Sequence, residues 1–147
     1  MGDEIRVPIG SDSDMVPARA QGRALATKLG FSRTDATLIA TAISEIARNI
    51  VVHVGRGEIV LEPLYEDNRY GVLFVAQDAG PGIGDIEAAL DHGFASGRGL
   101  GLGLPGARRL MDEFAIASEP GKGTTVTMKK WRVRDELERL RERRGRG

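Results

Sequence analysis

Apolar and polar residues alternate over 4–9, with Ile5, Val7 and Ile9 on one side and Gly10 directly after them. That alternation predicts a short strand. Ser11, Ser13 and Asp14 supply N-cap candidates and Pro17 suits a first helical turn. A helix is therefore expected to about residue 29, with Ala20, Ala24, Leu25 and Leu29 as its apolar side. Gly22 weakens that helix and Gly30 is suited to end it. Ser32, with Asp35 three residues on, opens a longer helix to about residue 54. Its core stripe is Ile39, Ile43, Ile46, Ile50 and Val54, recurring at three- and four-residue steps. Glu45 and Asn49 stack one turn apart beside that stripe, not opposite it.

Two hairpins follow from the same reading. Segments 59–65 and 70–77 flank Glu66-Asp67-Asn68-Arg69, and the second arm is apolar on both sides, as a central strand would be. Segments 114–118 and 124–131 flank Pro120-Gly121-Lys122-Gly123. Between the hairpins lie a glycine-rich loop, a possible short helix at 86–90, and a helix over 105–114 that turns Leu104, Ala107, Leu110 and Met111 inward. A charged helix is expected over 132–147, where only Leu137 and Leu140 are apolar. Hairpins imply antiparallel pairing, with the helices on one face of the sheet: an α/β two-layer sandwich. The expected organisation is one domain over 1–133 and a charged tail over 134–147.

Composition narrows the function classes. A chain of 147 residues has room for one domain with a real core. Acidic and basic residues balance at 21 each, so charge gives no reason to expect a nucleic-acid or membrane partner. The absence of cysteine excludes disulfides and thiolate metal sites. No basic-then-apolar leader and no membrane-length apolar run are present, which makes a soluble cytoplasmic protein the expectation.

Several glycine patterns match well-known expressions and fail on context. Gly101-x-Gly103-x-x-Gly106 satisfies the dinucleotide fingerprint, but a glycine loop precedes it and hairpins surround it, so no parallel βαβ unit is available. The partner motifs of the eukaryotic-type kinase loop are missing. Gly121-Lys122-Gly123-Thr124 lacks both the spacing and the following helix of a phosphate-binding P-loop.

Asp78-Ala79-Gly80-Pro81-Gly82 is different. Alone it would be an ordinary strand end with a Pro-Gly turn. Read as a site, Asp78 accepts from an adenine amino group while Gly80 and Gly82 let the backbone approach the base. Gly99-Leu100-Gly101-Leu102-Gly103-Leu104 is no linker either, because each leucine left in water forfeits about 1.5–3 kcal/mol of burial. Packed leucines with open glycine backbone, leading into a helix N-terminus, suit a phosphate cradle. Exposed basic loop residues such as Arg98 and Lys122 are commoner as solvated charges than as phosphate contacts, and His53 is set aside as a packing residue.

A helical Glu-x-x-x-Asn, then Asp-x-Gly-x-Gly, then Gly-x-Gly-x-Gly, then Gly-Thr at 123–124, in that order, resembles the GHKL superfamily of gyrase, Hsp90, histidine kinases and MutL. Ser44-Glu45-Ile46-Ala47-Arg48-Asn49-Ile50, Asp78 to Ile83 and the run from Gly103 to Phe114 look specifically like the RsbT-type switch kinases of the stressosome. These are single-domain bacterial serine kinases that regulate sigma factors, and the resemblance covers about residues 5–133. It implies a Bergerat-type fold and an ATP- and Mg²⁺-dependent protein serine/threonine kinase. Glu45 would act as general base or position the acceptor hydroxyl, and Asn49 would coordinate Mg²⁺ on the triphosphate. Asp78 would select adenine with support from Thr124. Gly80, Gly82 and Ile83 would shape the base pocket. Gly99, Leu100, Gly101, Leu102 and Gly103 would hold the phosphates, and 84–98 would form a lid. The implied partners are STAS-domain scaffold proteins as substrates and a PP2C-type phosphatase activated on release. Two alternatives stay open: an anti-sigma factor kinase that sequesters a sigma factor, and a nucleotide-responsive binding module without transfer activity.

Overall fold

The computed structural model describes residues 4–80 and 103–132. The expected short helix at 86–90, the lid, and the charged tail lie outside the described residues. Five strands form one sheet in the order β1-β2-β3-β5-β4, every neighbouring pair antiparallel. They are β1 (Ile5–Ile9), β2 (Gly57–Glu66), β3 (Arg69–Asp78), β4 (Glu113–Glu119) and β5 (Gly123–Trp131). Three helices, α1 (Met15–Lys28), α2 (Arg33–His53) and α3 (Gly103–Leu110), complete the α/β fold. The strand apolar on both sides, β3, is indeed the centre of the sheet.

Helices and sheet meet along one face. Val7, Ile9, Ile59, Leu61, Val72, Phe74, Val126 and Met128 alternate along their strands and join one core with Ile39, Ile43, Ile46 and Ile50 of α2. The α2 stripe is as the periodicity predicts. Ser32 caps the helix by accepting from the Asp35 amide at 3.1 Å. In front of α1, the Asp14 carboxylate accepts from the Gly10 and Ser11 amides at 2.7 and 3.0 Å, closing a single 3₁₀ turn at Asp12–Asp14.

Two expectations are corrected. First, α1 buries Ala18, Gly22, Leu25 and Ala26, whereas Ala20 and Ala24 are exposed. The reason is Gly22. A Cβ there would collide with Ile43 Cδ1, so the bare backbone lets α1 and α2 approach closely and sets which side of α1 faces inward. Second, α3 ends at Leu110 instead of running to 114. Asp112 is drawn to the sheet: its amide donates to the Lys129 carbonyl and its carboxylate accepts from the Trp131 amide at 2.7 Å. Lys130 Nζ donates to the Leu110 carbonyl at 3.1 Å, closing the helix end. Phe114 therefore belongs to β4.

The hairpin turns carry the expected chemistry. Asp67 and Asn68 both have positive φ, 53° and 63°, as a two-residue turn matched to strand twist requires. In the second hairpin Gly121 (φ 81°) and Gly123 (φ 93°) are both left-handed, but their surroundings differ. Nothing lies within 4 Å of a Cβ built on Gly121, whereas one on Gly123 would collide with the Asp78 carbonyl oxygen. Gly121→Ala should thus cost about 1 kcal/mol from backbone strain alone. Gly123→Ala should cost at least about 2–3 kcal/mol, because it also forces β3 and β5 apart. Urea denaturation of the two variants checks this; equal midpoints would show that the Gly123–Asp78 contact carries no stability.

Candidate functional site

One transverse row organises the site end of the sheet. Ile9 pairs with Gly57, Gly57 with Asp78, Asp78 with Thr124, and Thr124 with Ser118. Residues that pair this way present their side chains to the same face. Here it is the helix-facing one, since Ile9, Ile59, Ala76 and Val126 on it are buried in the core. The row therefore passes from a buried isoleucine, through a position with no side chain, to a carboxylate and two hydroxyls.

Glycines fix how closely the elements approach. A Cβ on Gly57 would lie 2.5 Å from the Gln77 carbonyl oxygen, 3.0 Å from Ile50 Cγ2 and 3.3 Å from Asp78 Cβ. One on Gly80 would lie 2.6 Å from Val54 Cγ1. The last turns of α2 are thus packed down on the ends of β2 and β3, with Ile50 and Val54 as the contacting side chains. Such a cradle admits a flat group only because these positions carry no side chain. A recess runs around this strand end, lined in part by Val54, Gly57, Asp78, Ala79 and Gly80.

The polar groups of the row have definite assignments. Asp78 Oδ1 accepts from the Gly80 amide at 2.9 Å, which orients the carboxylate, and no described residue donates to Oδ2. The remaining oxygen is available as an acceptor. Thr124 is 9% exposed, and its hydroxyl lies 2.8 Å from that of Ser118. Ser118 also donates to the Gly123 carbonyl at 3.1 Å.

Glu45 and Asn49 are both half-buried on α2, in the helix edge beside Ile46 and Ile50, whereas Arg48 is exposed. Asn49 directly precedes Ile50, so it sits next to the residue that packs over Gly57. The amide oxygen of Asn49 is a hard donor of the kind Mg²⁺ takes, supplied singly, as suits an ion that keeps most of its shell from phosphate and water. Consistent with that, no group of three or more His, Cys, Asp or Glu able to cage a metal occurs among the described residues. Helix α3 packs on α2, and its first residue is Gly103, so its unpaired N-terminal amides lie on the α2 side of the fold.

The structure thus brings Asp78, Gly80 and Thr124 together at one sheet end, with Glu45 and Asn49 on the helix covering it. Gly82, Ile83, Gly99, Leu100, Gly101, Leu102 and Arg98 lie outside the described residues. Lys122 pairs with Glu119 at 3.3 Å, both exposed, as a surface charge would. Sequence reasoning missed Gly57, Val54, Ile50 and Ser118 as parts of the site. Ser118 was within reach: the register of the second hairpin alone sets it opposite Thr124.

Among the described residues, no helix is long and apolar enough to cross a membrane. The chain is similar to proteins of known class. It is 45% identical over 131 residues to the serine/threonine-protein kinase RsbT of Bacillus subtilis, covering 89% of this chain and 98% of that protein. It is 32% identical over 120 residues to the anti-sigma F factor of Caldanaerobacter subterraneus, covering 78% and 82%. The anti-sigma F factor of Geobacillus stearothermophilus is 33% identical over 120 residues, covering 77% and 81%. The profile of the histidine kinase-like ATPase domain matches residues 11–130, from the turn before α1 to the penultimate residue of β5, and the chain belongs to that family.

Proposed function

We propose that this chain transfers phosphate from ATP to serine or threonine residues of small STAS-domain scaffold proteins, and that release from the scaffold frees it to activate a PP2C-type phosphatase. Its class is protein serine/threonine kinase, with ATP as the donor. The observation that carries the reading is the Gly57–Asp78–Thr124 row beneath the Glu45–Asn49 edge of α2. It joins a base-sized cradle to a carboxylate and an amide one helical turn apart. The 98% coverage of a kinase relative supports the same assignment over the whole domain.

The chemistry follows from the residues. Asp78 Oδ2 accepts from the exocyclic amine of adenine, and Thr124 stands beside it. Gly80, Gly82 and Ile83 shape the base pocket. The backbone of Gly99, Leu100, Gly101, Leu102 and Gly103, together with the N-terminus of α3, holds the phosphates. Asn49 supplies the protein's oxygen to Mg²⁺, which, when bound, neutralises charge on the triphosphate. Glu45 takes the proton of the acceptor hydroxyl as its oxygen bonds to the γ-phosphorus and ADP leaves with the electrons of the broken bond. Such a transfer needs positioning and charge stabilisation more than covalent help.

The similarity to anti-sigma F factors favours a second reading, in which the chain also sequesters a sigma factor. A stable complex with a sigma factor that blocks transcription in a reconstituted assay would select it. Failure to form one would leave the scaffold-switch reading in place.

The decisive experiment mixes purified protein, labelled ATP and Mg²⁺ with a STAS-domain protein. Label should appear on a serine or threonine of the partner. Glu45→Ala should keep ATP binding yet slow transfer by about 10²–10⁴-fold, the usual range for losing a general base. Asp78→Asn should abolish nucleotide binding, because it places an amide opposite an amine. Unchanged ATP affinity in Asp78→Asn by calorimetry would remove the site assignment. Intact ATP and partner binding without label would identify a non-catalytic binding module.

A further inference from the structure

The hydroxyl of Ser118 has a role that follows from counting protons. It has one hydrogen. The Gly123 carbonyl, 3.1 Å away, has none to give, so in that contact Ser118 is the donor. Its second printed contact, the 2.8 Å approach to Thr124 Oγ1, must then run the other way: Thr124 donates and Ser118 accepts. With its own hydrogen turned back to Ser118, Thr124 Oγ1 presents only lone pairs elsewhere. Across the strand pair, Asp78 presents a carboxylate oxygen on the same face, its other oxygen being held by the Gly80 amide.

We infer that Ser118 is a positioning residue for base selection: it fixes the Thr124 hydroxyl as an acceptor, so that Thr124 and Asp78 together form an all-acceptor edge that takes a purine amino group and rejects a purine carbonyl. This rests on the nucleotide site proposed above and extends it to specificity. Adenine offers an amine at the relevant edge. Guanine offers a carbonyl oxygen there, which would face two acceptors without a hydrogen between them. A carboxylate alone already disfavours guanine. A threonine free to rotate would soften that rejection, because its hydroxyl could turn and donate to the carbonyl. The Ser118–Gly123 contact removes that freedom. Gly123 is itself held against the Asp78 backbone by the contact that excludes a Cβ, so the hydroxyl relay and the carboxylate are positioned by the same strand junction.

The test compares binding of ATP, GTP and purine riboside triphosphate, which lacks the amine, by calorimetry. Wild-type protein, Ser118→Ala and Ser118→Thr are measured, with thermal melts confirming that each is folded. In Ser118→Ala, ATP affinity should fall by about threefold to tenfold, the loss expected when an oriented hydrogen bond becomes free to rotate. GTP affinity should rise, so that the ATP-to-GTP ratio falls by at least about tenfold, as discrimination by unpaired polar groups predicts. Purine riboside triphosphate should bind within about twofold of wild type, because it makes no use of the acceptor pair. Ser118→Thr keeps the hydroxyl and should restore the ratio. An unmoved ratio, or a parallel weakening of all three nucleotides, would overturn the Ser118 assignment alone. Wild-type protein that binds none of the three would remove the nucleotide site and this inference with it.

Discussion

The close approach of β3 and β5 at Asp78 and Gly123 is the constraint on which the site end of the molecule depends. The Gly123 Cα carries no side chain where one would meet the Asp78 carbonyl, and only that lets Thr124 fall opposite Asp78. From this junction the row extends outward by register alone, to Gly57 and Ile9 on one side and to Ser118 on the other. Side-chain direction in a sheet has a period of two, so slipping any one pairing by a residue would turn part of the row to the opposite face. A buried apolar set on the remaining rungs makes such slips expensive. Packing of Ile59, Phe74, Val126 and Met128 therefore holds polar chemistry in place a few ångströms away.

Helix α2 is the second half of that arrangement. Its isoleucines anchor it on the sheet and on α1, and the angle of approach is set by Gly22 beneath Ile43. Its last turns then descend on Gly57 and Gly80 through Ile50 and Val54. With both ends fixed, the rotation of the helix is fixed as well, and Glu45 and Asn49 are carried to the boundary between core and solvent. A carboxylate deep in the core would be driven to its neutral form. One fully in water would be no better placed than solvent. The edge of a buried stripe avoids both.

Much of this was legible in the sequence, and the reasons differ by feature. Strands and the long helix followed from periodicity, because each has one face in a shared core. Turn positions followed from residues such as Asp67, Asn68 and Gly121 that tolerate positive φ. The face of α1 was misread because Ala20 and Ala24 are as apolar as Ala18 and Ala26; the deciding residue was a glycine, whose value lies in the missing side chain. The end of α3 was misread because local propensity continues past Leu110, while Asp112 and Lys130 act across the chain to stop it. The ordered motifs located Asp78, Glu45 and Asn49, yet could not show that Gly57 and Ser118 share their row, since pairing joins residues far apart in the chain.

The opposite end of the sheet shows why the site end can remain open. There the strands are tied by side chains instead of glycines. Trp131 lies over Gly71, its ring nitrogen donates to Glu113 at 2.8 Å, and the Arg69 guanidinium sits 4.2 Å above its ring. Asp112 closes the same corner through the Trp131 amide, and Arg132 stacks near Tyr70. Desolvated aromatic and guanidinium contacts of this kind add rigidity beyond the area they bury. A sheet clamped at one end can leave the acceptors of Asp78 and Thr124 partnered on one side only at the other. Polar groups left ready for a ligand are tolerable where the rest of the strand is already held.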